Sequence, residues 1–261
     1  MKVFITGASS GIGEALATEY AKRHENAIIG LVARRSEHLQ NLQAKLEFTY
    51  KVKCAIYPLD VRDCTKLAHS AESFMQQYGT PDIVIASAGV SRGTLTEHVE
   101  DIAAFQAIMD INVMGLVHTF QPFIAAMRQV GKGQLVGIAS VAGVRGLPGA
   151  GAYSASKAAA ISYLESLRVE MAPNNITVTT IAPGYIRTPM TDVNQYKMPF
   201  LMDAEVFAHK FANEVEKKSR FSVIPWQMGW VARFMRLIPP FLWDWAMKKA
   251  PHKKRLDWDW L

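Results

Sequence analysis

Short apolar runs, separated by longer stretches with a three-to-four-residue repeat, fill most of the chain. The runs fall at residues 3–5, 27–33, 51–59, 82–86, 134–139, 176–182 and 221–224. Each has the length of a strand, whereas the segments between them gather apolar residues on one helical face. After residues 3–5, Ile12, Leu16 and Tyr20 recur every four positions. Further helices are predicted over 36–48, 64–78, 155–167 and, in two parts around Asp110, over 99–130. Strand and helix in alternation, without repeats or low-complexity sequence, predict an α/β fold. The expected architecture is a Rossmann-like, doubly wound parallel sheet of about seven strands flanked by helices, with its site at the carboxyl ends of the strands.

The pattern changes after Pro183. Residues 189–204 carry Met190, Tyr196, Met198, Phe200, Leu201 and Met202, an adaptable apolar set that suits either a lid over a hydrophobic substrate or ordinary packing. Past the run at 221–224, Trp226, Trp230, Phe234 and Leu237 repeat at helical spacing, Pro239-Pro240 interrupts them, and a second helical piece follows over 241–250. The expected division is a catalytic domain over 1–225 and a C-terminal amphipathic helical extension over 226–261.

Composition sharpens that division. A length of 261 residues suits one large domain. The formal charge of +6 is not evenly spread: the first 208 residues hold eighteen basic and eighteen acidic side chains, and the rest hold eleven against five. All six tryptophans, at 226, 230, 243, 245, 258 and 260, also fall in this last part. Its apolar pieces are too short to span a bilayer and contain Arg233, Arg236 and Asp244. Beside Lys248, Lys249, Lys253, Lys254 and Arg255 they suit a peripheral contact with anionic membrane. The competing reading packs the extension on the same subunit or on a dimer mate; nucleic acid is not an expected partner, because no recognition module accompanies the charge. Met1-Lys2 leads directly into the first strand, which predicts a cytoplasmic protein, at the inner face of a membrane if the tail binds lipid. Cys54 and Cys64 read as free thiols, and seven scattered histidines predict no metal site.

The candidate chemistry lies at strand ends. Thr6-Gly7-Ala8-Ser9-Ser10-Gly11-Ile12-Gly13 joins the first strand to the first helix, so its glycines and free helix amides can meet a diphosphate. The second strand ends in Ala33-Arg34-Arg35, where an NAD site usually has a carboxylate. A guanidinium fork suits a ribose 2′-phosphate, so the expected cofactor is NADP rather than NAD; the alternative is a solvated cap on a strand end. Asn112 sits in an apolar helix and needs hydrogen-bond partners, as a brace or in a polar network. Tyr153 and Lys157 stand four apart in an Ala-rich segment, one helical turn from each other on one face. A phenol titrates near pH ~10, and a fixed ammonium beside it favours the phenolate.

Taken together, these residues resemble the short-chain dehydrogenase/reductase family in its short single-domain branch. The resemblance covers about residues 2–190 and rests on Thr-Gly-x-x-x-Gly-x-Gly at 6–13, Asp60, Ala88-Gly89, Asn112, Ser140, Tyr153-x-x-x-Lys157 and Pro183-Gly184. It implies that Tyr153 is the general acid/base, that Lys157 lowers the Tyr153 pKa and binds the nicotinamide ribose, that Ser140 holds the substrate oxygen, and that Asn112 anchors a water linked to Lys157. It further implies that Gly7, Ser9, Ser10, Gly11, Ile12 and Gly13 wrap the phosphates, that Arg34 with Arg35 takes the 2′-phosphate, and that Asp60 and Val61 flank the adenine. Ala88, Gly89, Tyr153, Lys157, Pro183, Gly184, Ile186 and Thr188 complete the implied cofactor site. The implied function is NADP(H)-dependent interconversion of a carbonyl and an alcohol on a hydrophobic or lipid-like substrate by a homodimer or homotetramer. Two departures stand out: Ala86-Ser87-Ala88-Gly89 replaces a common Asn-Asn-Ala-Gly, and Ser10 stands where many NADP-preferring relatives have a basic residue. The alternative function is a catalytically silent NADP-binding sensor or a membrane-peripheral scaffold, against which the intact Asn112, Ser140, Tyr153 and Lys157 argue.

Overall fold

A computed structural model describes residues 1–194, 196–253 and 255. In chain order the first half comprises β1 (Lys2–Thr6), α1 (Gly11–Arg23), β2 (Ile28–Ala33), α2 (Ser36–Tyr50), β3 (Lys53–Pro58), α3 (Cys64–Tyr78), β4 (Ile83–Ala86), α4 (Asp101–Met109) and α5 (Gly115–Val130). The second half comprises β5 (Gly133–Ile138), α6 (Gly151–Met171), β6 (Ile176–Pro183), β7 (Ile186–Arg187), α7 (Pro189–Asp192), β8 (Met202–Asp203), α8 (Ala204–Glu216), β9 (Phe221–Ile224), α9 (Trp226–Leu237) and α10 (Pro240–Met247). Seven strands form one parallel sheet in the order β3-β2-β1-β4-β5-β6-β9. The order reverses between β1 and β4, and a crevice opens at such a switch point beyond the strand ends.

Alternation along each strand builds two cores. Val3 and Ile5 of β1 face α1, α2 and α8, where Leu16, Tyr20, Leu39, Phe207 and Phe211 are buried. Phe4 points the other way, into Phe74, Phe120, Phe123 and Leu164 of α3, α5 and α6. The predicted strands and helices are present, with shifted ends. The strand predicted from Lys51 begins at Lys53, because Lys51 takes a left-handed conformation (φ 56°) that ends α2. The helix predicted over 155–167 runs over Gly151–Met171, so Tyr153 lies within its first turn. Asp110 marks a change of helix type, since Asp110–Met114 forms a π-helical turn between α4 and α5.

The segment after Pro183 differs more. α8 was not anticipated, although Phe207, Phe211 and Val215 recur every fourth residue and are buried against α1. Arg23 of α1 fastens it by bonding Glu216, Asn213 and the His209 carbonyl, while also pairing with Glu19. α9 turns Met228 and Ala232 onto Val141, Val144 and Val223, so the extension packs on its own chain. Its opposite face is uncovered: Trp226, Trp230, Phe234 and Leu237 are 66%, 63%, 68% and 80% exposed. Phe241 and Trp245 of α10 are exposed as well. Arg145 joins this unit to the body, bonding the Met235 and Ile238 carbonyls and stacking 4.6 Å from the Trp243 ring. Lys254, Trp258 and Trp260 lie outside the described residues. The helical stretch Asp101–Val130 has the length and composition of a membrane span. Its buried face, with Leu116, Phe120 and Phe123, packs on the sheet.

Candidate active site

Every residue assigned above to the cofactor lines one cleft at the switch point, together with Ser140. The turn after β1 sets its floor. Gly7 has φ +74°, and a Cβ there would stand 2.7 Å from the Ala88 backbone, so the turn and the segment after β4 touch closely enough to exclude any larger residue. The turn then opens into α1, whose N-cap Ser10 makes no side-chain cap bond, so its hydroxyl leaves the first-turn amides of α1 to another acceptor. That arrangement fits an anionic group, and it is the local observation by which a diphosphate suits this cleft.

The basic rim is organised differently for the two arginines. Arg35 folds back over the turn and donates to Ser9 Oγ (3.0 Å), the Ser9 carbonyl (3.3 Å) and Ser10 Oγ (2.8 Å). Arg34 stands 3.8 Å from Asp60. Arg62 grips Asp60 more tightly, at 2.9 Å, and the Arg62 backbone N–H donates to it as well. Burial would raise the Asp60 pKa, but these bonds and charges hold it below the ordinary value. Two exposed guanidiniums and two hydroxyls thus converge at the end of β2, a donor set suited to a phosphate monoester.

Across the cleft, α6 presents Tyr153 and Lys157 one turn apart. Lys157 is buried, donates to the Ile138 carbonyl at 2.8 Å, and lies 5.9 Å from the Tyr153 ring centroid. Ser140 follows β5; its Oγ accepts the Ala142 N–H at 3.1 Å, and its hydroxyl is placed to favour the ionised form of the Tyr153 phenol. One expectation is corrected here. Burial pushes the Tyr153 phenol above its ordinary pKa, and the opposing pull comes from Ser140 rather than Lys157. The ammonium is itself pushed down to about 8 by desolvation, so it shares the dry environment instead of offsetting it. Asn112 sits in the π-helical turn. Its Oδ1 accepts the Val90 N–H at 2.8 Å, and its Nδ2 donates to the Val90 carbonyl and to Ser156. The side chain therefore braces the strand-β4 loop against α6, and it does not line the cleft.

Of the lid candidates Met190 reaches the cleft, and Thr191 and Lys253, which the sequence does not single out for the site, contribute as well. Met190 and Thr191 line the cleft beside Thr188. Thr188 and Thr191 form a capping box that starts α7, and Thr191 Oγ1 also donates to the Ile186 carbonyl at 2.7 Å. The spacing of the two threonines was the available signal. Lys253, from beyond α10, reaches within 6.0 Å of the Tyr153 ring centroid, which no local pattern could announce.

Residues 1–198 match the family model described as short chain dehydrogenase. An uncharacterized oxidoreductase of Myxococcus xanthus (strain DK1622) is 32% identical over 245 residues, 94% of this chain and 95% of its own. The 11-beta-hydroxysteroid dehydrogenase A of Sesamum indicum is 36% identical over 197 residues, 74% of this chain and 55% of the relative. Among solved structures, L-sorbose reductase from Gluconobacter frateurii, complexed with NADPH and L-sorbose, superposes with a TM-score of 0.77 at 26% identity, over 85% of this chain and 94% of that one.

Proposed function

This chain belongs to the short-chain dehydrogenase family of oxidoreductases, and from that premise we propose that it interconverts a carbonyl and an alcohol with NADP(H), on a substrate with a substantial hydrophobic part. The observation that carries the reading is the meeting of Tyr153, Ser140 and Lys157 in the cleft that begins at the uncapped helix turn. A reduced nicotinamide, when bound, supplies the hydride. Tyr153 gives its phenolic proton to the carbonyl oxygen, and Ser140 donates a hydrogen bond that favours the same oxygen as it gains negative charge. The phenolate left behind is stabilised by the Ser140 hydroxyl. Lys157 keeps N–H groups beyond the one given to Ile138, and these suit ribose hydroxyls. Arg35 and Arg34 favour the 2′-phosphate, and the NADPH complex of the sorbose reductase is consistent with that preference.

The test is Tyr153→Phe, which keeps the ring and removes the proton. Turnover should fall by about 10²–10⁴-fold while NADPH still binds. Unchanged turnover would remove the chemistry, and the sensor or scaffold reading would then take its place. A hydrophobic substrate is in keeping with the steroid-dehydrogenase relative. The uncovered aromatic face of α9 and α10, flanked by Arg233, Arg236, Lys248 and Lys249, favours a peripheral contact with anionic membrane as a second property. Trp226→Ser with Trp230→Ser should abolish cosedimentation with anionic vesicles. Binding equal to that of the parent chain would assign that face to a subunit partner instead, in a homodimer or homotetramer.

A further inference from the structure

Past α10, His252, Lys253 and Arg255 lie against the body of the protein beside the site. Arg255 pairs bidentately with the buried Asp101, Nε to Oδ2 at 2.8 Å and Nη2 to Oδ1 at 3.1 Å, and Asp101 also accepts the Leu95 N–H at 2.7 Å. His252 lies on Gly149, where φ is +70° and a Cβ would come within 2.6 Å of the His252 Cβ. Between these two fastenings Lys253 Nζ donates to Ser91 Oγ at 2.8 Å and stands 6.0 Å from the Tyr153 ring centroid. Two ammonium groups therefore approach one phenol. Lys157 does so from inside the dinucleotide cleft, whereas Lys253 is not among the residues that line it.

An ammonium withdrawn from water without a counter-charge is costly. Burial pushes Lys253 down to about 8, Arg92 adds positive charge, and among the described residues no carboxylate offsets it. Among the described residues no anion stands with Lys253 beside Ser91 and Tyr153. We infer that Lys253 is a substrate-binding residue, which holds a carboxylate of the substrate while the neighbouring carbonyl lies at Tyr153 and Ser140. Lys253 Nζ bonds Ser91 and faces the Tyr153 ring, so the carboxylate and the reacting carbonyl belong to one end of the substrate, and the substrate class is an oxo acid with an apolar remainder. The inference rests on the reductase reading above and names the substrate for that site.

The full chain with NADPH is assayed on aliphatic 2-oxo and 3-oxo acids and on their methyl esters, in parallel with the shift in melting temperature that each acid induces in the NADPH complex. The parent chain should favour acid over ester by about tenfold or more in kcat/KM. Lys253→Met should lose at least that factor on the acid, mainly through KM, and stay within about twofold on the ester, while Lys253→Arg recovers most of the loss. The acid should raise the melting temperature of the parent complex and not that of Lys253→Met. An acid and ester weakened alike would make Lys253 a packing residue, and faster turnover of the ester in Lys253→Met would make the tail an obstruction; either overturns the inference. Turnover of neutral ketones alone overturns it and leaves the reductase reading standing. Absence of turnover on every carbonyl removes the reductase reading, and the melting shift still decides whether Lys253 binds a carboxylate.

Discussion

Replacing Arg35 by alanine should weaken NADPH far more than NADH. The guanidinium reaches Ser9 and Ser10 on the turn, and Arg34 stands on the same rim 3.8 Å from Asp60. Hydrogen bonds to charged groups contribute about 1.5–3 kcal/mol, and exposure at this rim puts Arg35 at the lower end. A loss of about 1.4 kcal/mol is a tenfold loss in NADPH affinity. Removing Arg34 as well should bring the total to about 3 kcal/mol, or on the order of 10²-fold, with some departure from additivity because the two share one ligand. NADH has no 2′-phosphate, so its kcat/KM should change by about twofold at most. The measurement is the ratio of kcat/KM for the two cofactors in parent, single and double variants, with dinucleotide binding titrated separately. An equal loss with both cofactors would mean that Arg35 merely clamps the turn, and a parent chain that favours NADH would refute the phosphate argument altogether.

Three further outcomes follow from the geometry. With Lys157 pushed down to about 8, its charge is present below that pH and lost above it, so kcat/KM for carbonyl reduction should decline above pH 8, and Lys157→Arg should move that limb upward in a pH profile. Gly7→Ala combines a left-handed backbone with overlap on Ala88, which should cost about 2 kcal/mol or more and lower the melting temperature by roughly 4–8 °C. Glu19 is held below its ordinary pKa by Arg23 and His209 despite the opposing effect of burial. The stability it contributes is present above the ordinary glutamate range and lost as pH falls through its lowered value. Melting curves between roughly pH 3 and 6 should therefore show a decline that Arg23→Met reduces.

Where the determinants were local, the residue pattern was enough. The glycine turn, the Tyr153–Lys157 pair and the arginines after β2 are each set by a few neighbours and lie as anticipated on one cleft. Helix ends moved because caps such as the left-handed Lys51 depend on single backbone conformations. α8 escaped notice because its apolar repeat follows the Met- and Phe-rich segment, whose irregular hydrophobicity masks where periodicity begins. The return of the tail could not be read at all: Arg255 and Asp101 are 154 positions apart, and a charge in either place is unremarkable alone. Nor could the direction of the Tyr153 shift be read, since proximity of an ammonium is a matter of spacing and dehydration of both groups is a matter of the whole fold.

Arg145 links two tasks that would otherwise be independent. It follows the short turn after Ser140, yet its guanidinium holds the end of α9 and the face of Trp243. A force that lifts the aromatic helices must pull on that side chain, and through five peptide units on the serine itself. The outer face of α9 and the Ser140 hydroxyl are thereby joined by one short mechanical path.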